Sequence, residues 1–433
     1  MGRFLTPAAM TAAMLAFTVA ALAAGLAVYR PSLWPAALQL AILGGITPMI
    51  YAVNLRIVPV FSRRMWASLT LVRAQIVLAL GGAWLGFAGV AMGLRDLAIV
   101  GSAAALAGGV LFIVNLQRLF RQPATLPPPP LPFASQTTVD RLATRFMQLA
   151  GVYLVFGLTS GLALHFWRLG SGRWELVWAH ALLIGFFLSM ASGVCYHAVS
   201  RWSVREWRYP GLIRLHLLVL GLGLPAMLHA LATNDQRMFA VAGPLQALGI
   251  VLLLVNVAPL IPGLPQPTRT AFTGAAVLLL AGIALGSLFA IDPAIGARLR
   301  QAHAEINLFG WTGLLISGAG YYLIPRFAGR PLRWPRLVPL QLGALSAGVM
   351  LAVVALVWRA YGVGSPALLL LAQALIASGF ALFALLVAAT MRPWSSALSG
   401  SSAPLTLPTV CSASSVGTAT ALDMPSCTVA KPM

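Results

Sequence analysis

The fold is decided by three stretches of sequence that share one pattern. They read LQLAILGGITPMIYAVNLRIVPVFSRRMW from Leu38, AHALLIGFFLSMASGVCYHAVSRWSVREW from Ala179 and AEINLFGWTGLLISGAGYYLIPRFAGRPL from Ala304. Aligned on Gly44, Gly185 and Gly310, they match without a gap, and each has an aromatic residue 17 positions and an arginine 20 positions after the glycine. Self-similarity in a fixed register is the mark of a repeat architecture. The chain therefore contains three copies of one unit.

The same register carries polar residues into apolar sequence. Five positions before the aligned glycine stand Gln39, His180 and Glu305, and 31 positions after it stand Gln75, His216 and Gln341. Polar groups are costly in lipid and usually face the interior of a helix bundle. We expect the second set to form hydrogen bonds between helices. Each copy is predicted to be a four-helix unit whose second helix carries the motif.

Composition makes this an integral membrane protein. Of 433 residues, 60% are hydrophobic and 8% are charged, with a mean hydropathy of +0.89, whereas soluble domains carry about a quarter charged residues. A membrane-spanning helix needs roughly 20 apolar residues. Twelve stretches meet that length: 8–29, 35–58, 68–92, 97–118, 143–167, 176–199, 210–232, 238–261, 270–291, 302–325, 337–358 and 364–390. The predicted fold is an all-α polytopic membrane protein of about twelve transmembrane helices in three pseudo-repeated units.

The repeat and the proline-rich joints divide the chain. We predict a first four-helix repeat over 1–122, a Pro-rich cytoplasmic linker over 123–138 and a second repeat over 139–262. The third repeat then covers 263–392. The remainder, 393–433, is rich in Ser, Thr, Ala and Pro and is predicted to be disordered.

The formal charge of +20 indicates topology rather than a nucleic-acid partner. The 28 Lys and Arg residues lie in short loops and not on one basic face, which is the positive-inside pattern. The arginine-rich loops follow the even-numbered spans. The chain is therefore predicted to span a bacterial inner membrane many times, with both termini in the cytoplasm and the lipid bilayer as its main partner.

The third repeat resembles a known family. The segment Ala302–Phe327, AHAEINLFGWTGLLISGAGYYLIPRF, is similar to the tenth helix of subunit I in the haem-copper oxidase superfamily, which includes terminal oxidases and nitric-oxide reductases. That helix has a His-x-His, then Gly-Trp and a closing Tyr-Tyr-x-x-Pro-Arg. The superfamily core is also twelve helices in three four-helix arcs.

The resemblance implies site residues. His303 matches the histidine that holds the high-spin haem iron, while Glu305 stands where the low-spin haem ligand would be. Haem b is expected at His303 and His180, and copper at His303, His180 and His229. Neutral imidazole is a good ligand for both. Glu305 is the candidate catalytic group, because a carboxyl two residues from His303 could accept a proton or orient a ligand.

Two functions from different classes remain. The first is a haem-binding relative of the oxidases that handles O2 or nitric oxide as a binder, a sensor or a reductase fed by an electron-donating partner subunit; the NnrS-like family of nitric-oxide-response membrane proteins is a close variant. Whether it is an enzyme, an oxidoreductase of respiration, stays open. The alternative is a cofactor-free transporter or structural membrane protein that uses intramembrane His and Glu.

Overall fold

Twelve long helices build the chain in the computed structural model, which describes residues 2–127, 131–167 and 172–391. In chain order they are α1 (Gly2–Leu26), α2 (Leu33–Ser62), α3 (Leu69–Met92), α4 (Arg95–Arg121), α5 (Gln136–Phe166), α6 (Gly172–Ser203), α7 (Leu212–Thr233), α8 (Gln236–Gly263), α9 (Thr268–Ile291), α10 (293–328), α11 (Pro335–Ala360) and α12 (Pro366–Met391). The predicted tail at 393–433 and residues 128–130 of the predicted linker lie outside the described residues.

Eleven of the described helices are long and apolar enough to cross a membrane. The exception is α10, whose first half contains the polar residues His303, Glu305 and Asn307. It lies within the bundle with the others and completes the twelve. The prediction of an all-α polytopic membrane protein of about twelve helices is confirmed.

The second helix of each predicted repeat contains a π-helical segment at the aligned glycine. These segments are Leu40–Ile46 in α2, Ala181–Leu188 in α6 and Ile306–Trp311 in α10. A π-helical turn inside an α-helix is rare. Its presence at the same register in three helices extends the sequence repeat to the backbone.

A hydroxyl group follows each π-helical segment. Thr47, Ser189 and Thr312 each begin the α-helical part that comes next, and each donates to the carbonyl five residues earlier, at 2.9, 3.3 and 2.8 Å. A π-helical turn leaves some carbonyls without their usual backbone partner. The hydroxyl satisfies one of them, so this residue type stabilises the irregular turn.

Helix packing follows the repeat around a closed ring. In each block the first helix packs on the second and the third packs on the fourth. The fourth helix of a block then packs on the first helix of the next, so α4 contacts α5, α8 contacts α9 and α12 contacts α1. The second helices α2, α6 and α10 are thereby brought towards a common centre, where the apolar core lies.

Candidate functional site

His303 packs into a space made by glycines of α9. A Cβ atom built on Gly286 would lie 3.0 Å from Cε1 of the imidazole, so a larger residue there would displace the ring. The Phe289 ring lies 5.4 Å from the imidazole between centroids. The backbone of Gly282 also interacts with this imidazole. The position of His303 is therefore fixed by α9.

Asn307 supports His303 from the next turn of α10. Its Nδ2 donates to the His303 carbonyl at 2.8 Å and lies 3.5 Å from Nδ1 of the ring. The helix is π-helical at Asn307, which changes the direction of the side chains that follow. The sequence interpretation missed Asn307, although its polar character in an apolar run was visible.

His180 ends the regular part of α6, directly before the π-helical segment. Its Nδ1 lies 2.8 Å from the Leu176 carbonyl. Because a carbonyl oxygen only accepts, Nδ1 must carry the proton and Nε2 has the free lone pair. This is the usual state of a histidine ligand, in which a backbone carbonyl fixes the ring through its other nitrogen.

His180 and His303 lie on the second helices of different blocks, α6 and α10. The two imidazoles are close enough to interact electrostatically, although they lie on α6 and α10 and are 123 residues apart in sequence. Both side chains are partly buried. We call these two residues the histidine pair.

Glu305 is directed away from this pair. It is fully buried, and its Oε1 accepts a hydrogen bond of 2.7 Å from Nε2 of Gln373 on α12. Its Oε2 has no hydrogen-bond partner among the described residues. Residues two apart on a helix point in nearly opposite directions, so His303 contacts α9 while Glu305 contacts α12. The contacts of Glu305 give no support to a catalytic role beside His303.

His229 lies at the surface of α7. On α7 its two neighbours Leu228 and Ala230 are buried, while His229 itself is exposed. Within the described residues, no group of three or more His, Cys, Asp or Glu side chains could hold a metal ion. The described residues thus give no support to the expected copper site of His303, His180 and His229, which stays a prediction.

A polar cluster around Asp140, a residue that sequence reasoning missed, joins α5 to α6. The Asp140 carboxylate accepts hydrogen bonds from Arg201, at 2.7 Å from Nη2 and at 3.0 Å from Nη1. It also accepts a hydrogen bond of 2.9 Å from Nδ1 of His197. The ring of Phe61 lies edge-on to His197, with 4.5 Å between centroids. His197 and Arg201 are four residues apart and hence share a helix face. Asp140 fell outside the predicted span, which began at residue 143.

The polar residues on the third helices form the expected hydrogen bonds. His216 is buried and its Nδ1 lies 2.8 Å from the hydroxyl of Tyr196, and Gln341 accepts from Tyr321 at 2.6 Å. Gln75 instead accepts from Nδ2 of Asn115 at 2.8 Å. The prediction of interhelical hydrogen bonding at this register is confirmed. It assigns His216 a structural role.

Comparison with known proteins gives a match at the level of the fold. No family model matches the sequence, and no curated protein matches it. A haem-copper terminal oxidase dimer determined by cryo-electron microscopy contains a chain that superposes with a TM-score of 0.59 at 14% sequence identity. The match covers 89% of this chain and 84% of that one. Three four-helix blocks, a histidine-bearing tenth helix and this superposition agree: the chain has the haem-copper oxidase fold.

Proposed function

We propose that the protein binds one b-type haem through His303, in the membrane, and handles O2 or nitric oxide. The observation that carries the proposal is the haem-copper oxidase fold of the chain, in which His303 lies in the first half of the tenth helix and within electrostatic range of His180 on α6. Both residues are histidines of the kind that ligate haem iron. Of the two, His303 matches the family motif and is the proposed axial ligand.

The contacts of the two imidazoles resemble those that orient histidine ligands. His180 keeps Nε2 free because Nδ1 is engaged by the Leu176 carbonyl, and His303 is held by Gly282, Gly286 and Asn307. Such outer contacts orient a ligand and limit its tautomers. When bound, haem would supply reversible gas binding and one-electron redox chemistry. His303 would hold the iron, and His180 would face the gas side or a second ion.

The proposal does not include a bound copper ion. The described residues offer His180 and His303 but no third ligand beside them, and His229 is exposed. Without the low-spin haem ligand, Glu305 standing in its place, the chain has no internal electron path like that of the family. We therefore propose a gas binder, a sensor, or a reductase that takes electrons from a partner subunit.

The proposed location is a bacterial inner membrane with both termini in the cytoplasm. An even number of spans would put the two termini on one side of the membrane, and the arginine-rich loops after even-numbered helices favour the cytoplasm as that side. His180 lies in the first part of α6 and His303 in the first half of α10. On this topology both helices start outside, so the histidine pair belongs to the outer half of the bilayer.

The decisive experiment is a visible absorption spectrum of the detergent-purified protein, produced in cells supplied with a haem precursor. We expect a Soret band that shifts on reduction and on addition of nitric oxide. His303→Ala should lower the Soret absorbance per protein at least tenfold. His180→Ala should keep the haem but change the nitric-oxide spectrum.

The matched control is His229→Ala, which removes an exposed histidine of the same membrane protein and should leave the spectrum unchanged. A colourless wild-type preparation, or equal Soret bands in wild type and His303→Ala, would contradict the proposal. A colourless, metal-free preparation would favour the cofactor-free transporter.

A further inference from the structure

A cavity of about 110 Å³ lies where the three second helices meet. Its wall repeats with the blocks, because residues five, six, nine and ten positions after the aligned glycine line it in all three copies. The layer five positions after the glycine, for example, consists of Met49, Met190 and Leu315. Equivalent residues from three helices can surround one space only if it lies on the axis that relates them. We call it the axial cavity.

The axial cavity exists because two alanines replace larger residues of the repeat. In the layer six positions after the glycine, Ala191 stands where the other copies have isoleucine, Ile50 and Ile316. In the layer nine positions after it, Ala319 stands where the other copies have valine. Each substitution removes carbon atoms from a wall that otherwise faces the centre. A cavity of the observed kind follows.

The chemistry of the wall is almost wholly apolar. The polar exceptions lie together in the layer ten positions after the glycine, where Asn54 and the free thiol of Cys195 stand opposite Gly320. Asn54 donates from Nδ2 to the Ile50 carbonyl of its own helix at 2.9 Å. No charged side chain is among the described residues of the lining. Water needs two to four polar partners in a buried site, and this wall offers few.

A second, smaller cavity lies beside this space, towards α8 and α9. It measures about 40 Å³ and shares Ala191, Cys195, Phe272 and Leu315 with the axial cavity. Its other residues come from α8, α9 and α10 and are again apolar. Leu254 of α8 and Ala276 of α9 in this lining are partly exposed, so the smaller cavity lies near the surface of the bundle.

We propose that the axial cavity is a binding site for a small, uncharged, apolar molecule, up to about one aromatic ring in size. An engineered apolar protein cavity of about 150 Å³ stays dry and takes up benzene or xenon. The axial cavity has a similar size and an almost wholly apolar wall, and apolar molecules concentrate in the bilayer around the protein. The site is independent of haem, since it is lined by neither His303 nor His180.

The test uses xenon as the probe. The variants are chosen from the residues that the other two copies of the repeat have at the same positions. Ala191→Ile and Ala319→Val give each position the residue of the other two copies, so both fill the cavity with side chains that the repeat accepts. The matched control is Ala374→Ile on α12, which adds the same carbon atoms at an exposed position. Xenon binding is followed by xenon NMR of the full-length protein in detergent and located in xenon-pressurised crystals.

We expect xenon at the axis in the wild type and in Ala374→Ile, and at least tenfold weaker binding in the double variant Ala191→Ile with Ala319→Val. The melting temperature of each variant checks the fold, and the single variant Ala191→Val serves if the double variant does not fold. Xenon absent from the axis of the wild type, or bound equally by the folded filled variants, would overturn the proposal. Because xenon binding is measured without a visible spectrum, this test is independent of whether the protein binds haem.

Discussion

The second and third blocks contain the same packing frame around different side chains. In the second block, Gly161 of α5 faces Trp178 of α6; in the third, 125 residues later, Gly286 of α9 faces His303 of α10. In both places a glycine without Cβ lets a ring lie against the neighbouring helix. The glycine is therefore a property of the fold, and only the identity of the ring is specific to the third block.

The glycines one turn earlier in α5 and α9 show the same relation between the two blocks. Gly157 faces Leu182 in the second block, and Gly282 faces Asn307 in the third. One copy of the frame thus holds two side chains that pack, and the other holds a histidine and an asparagine that interact with each other. The proposed haem site therefore uses a helix contact that the second block also makes. Substitutions at equivalent positions can separate what serves packing from what serves chemistry.

The largest effect is expected from removing the ring of the second block. Trp178 is 6% exposed, and truncation of such an aromatic side chain costs about 3–5 kcal/mol of unfolding free energy. His303 is smaller and only partly buried, so His303→Ala should cost clearly less. Denaturant unfolding of the purified variants in detergent measures both. Equal losses would mean that the two rings are equally structural.

The reverse experiment adds a side chain at each of the two glycines, so that the contact between the helices is overpacked. A Cβ on Gly161 would lie 2.7 Å from Nε1 of Trp178, and one on Gly286 would lie 3.0 Å from Cε1 of His303. Overpacking costs about 1–3 kcal/mol, and the buried indole has less room to move than the imidazole. Gly161→Val should therefore lower the melting temperature more than Gly286→Val. The opposite order would show that α9 and α10 are packed more tightly than their counterparts.

A hydrogen-bonded pair gives a third comparison with a smaller effect. Tyr196 bonds His216 in the second block as Tyr321 bonds Gln341 in the third. His216→Leu leaves the Tyr196 hydroxyl buried without this partner, which costs about 1–3 kcal/mol. His216→Gln supplies the side chain of the third block and should recover most of that loss. Equal free energies of unfolding for His216→Leu and His216→Gln would show that the hydrogen bond is not the cause of the loss.

Much of this fold could be predicted because the repeat and the hydropathy carry it directly. Apolar runs of the right length fixed the number of helices, and the aligned glycines predicted which helices are equivalent. The ends of helices were harder: the predicted span 143–167 became Gln136–Phe166. Its added first turns hold Asp140, which pairs with Arg201 of α6. A hydropathy pattern cannot detect polar turns that are stabilised by a partner from elsewhere in the chain.

The candidate site could be predicted only in part, because the face of a helix is decided by packing. Each residue turns a helix by about 100°, so a neighbour one or two positions away points elsewhere. His303 and Glu305 were expected to act together, yet they contact α9 and α12 respectively. The π-helical segments shift the direction again and have no clear signal in a single sequence. Residue types were thus visible, and their directions were not.

The smallest effect is expected from substitution of His229, the exposed histidine of α7. His229 corresponds to Val354 of the third block, 125 residues later, and both are exposed. Exposed positions away from any special contact usually change stability by less than about 0.5 kcal/mol. His229→Val installs the third-block residue, so it should leave the melting temperature and the Soret band as in the wild type. A lost band would show that His229 reaches the haem after all, and that the outward face of α7 belongs to the site.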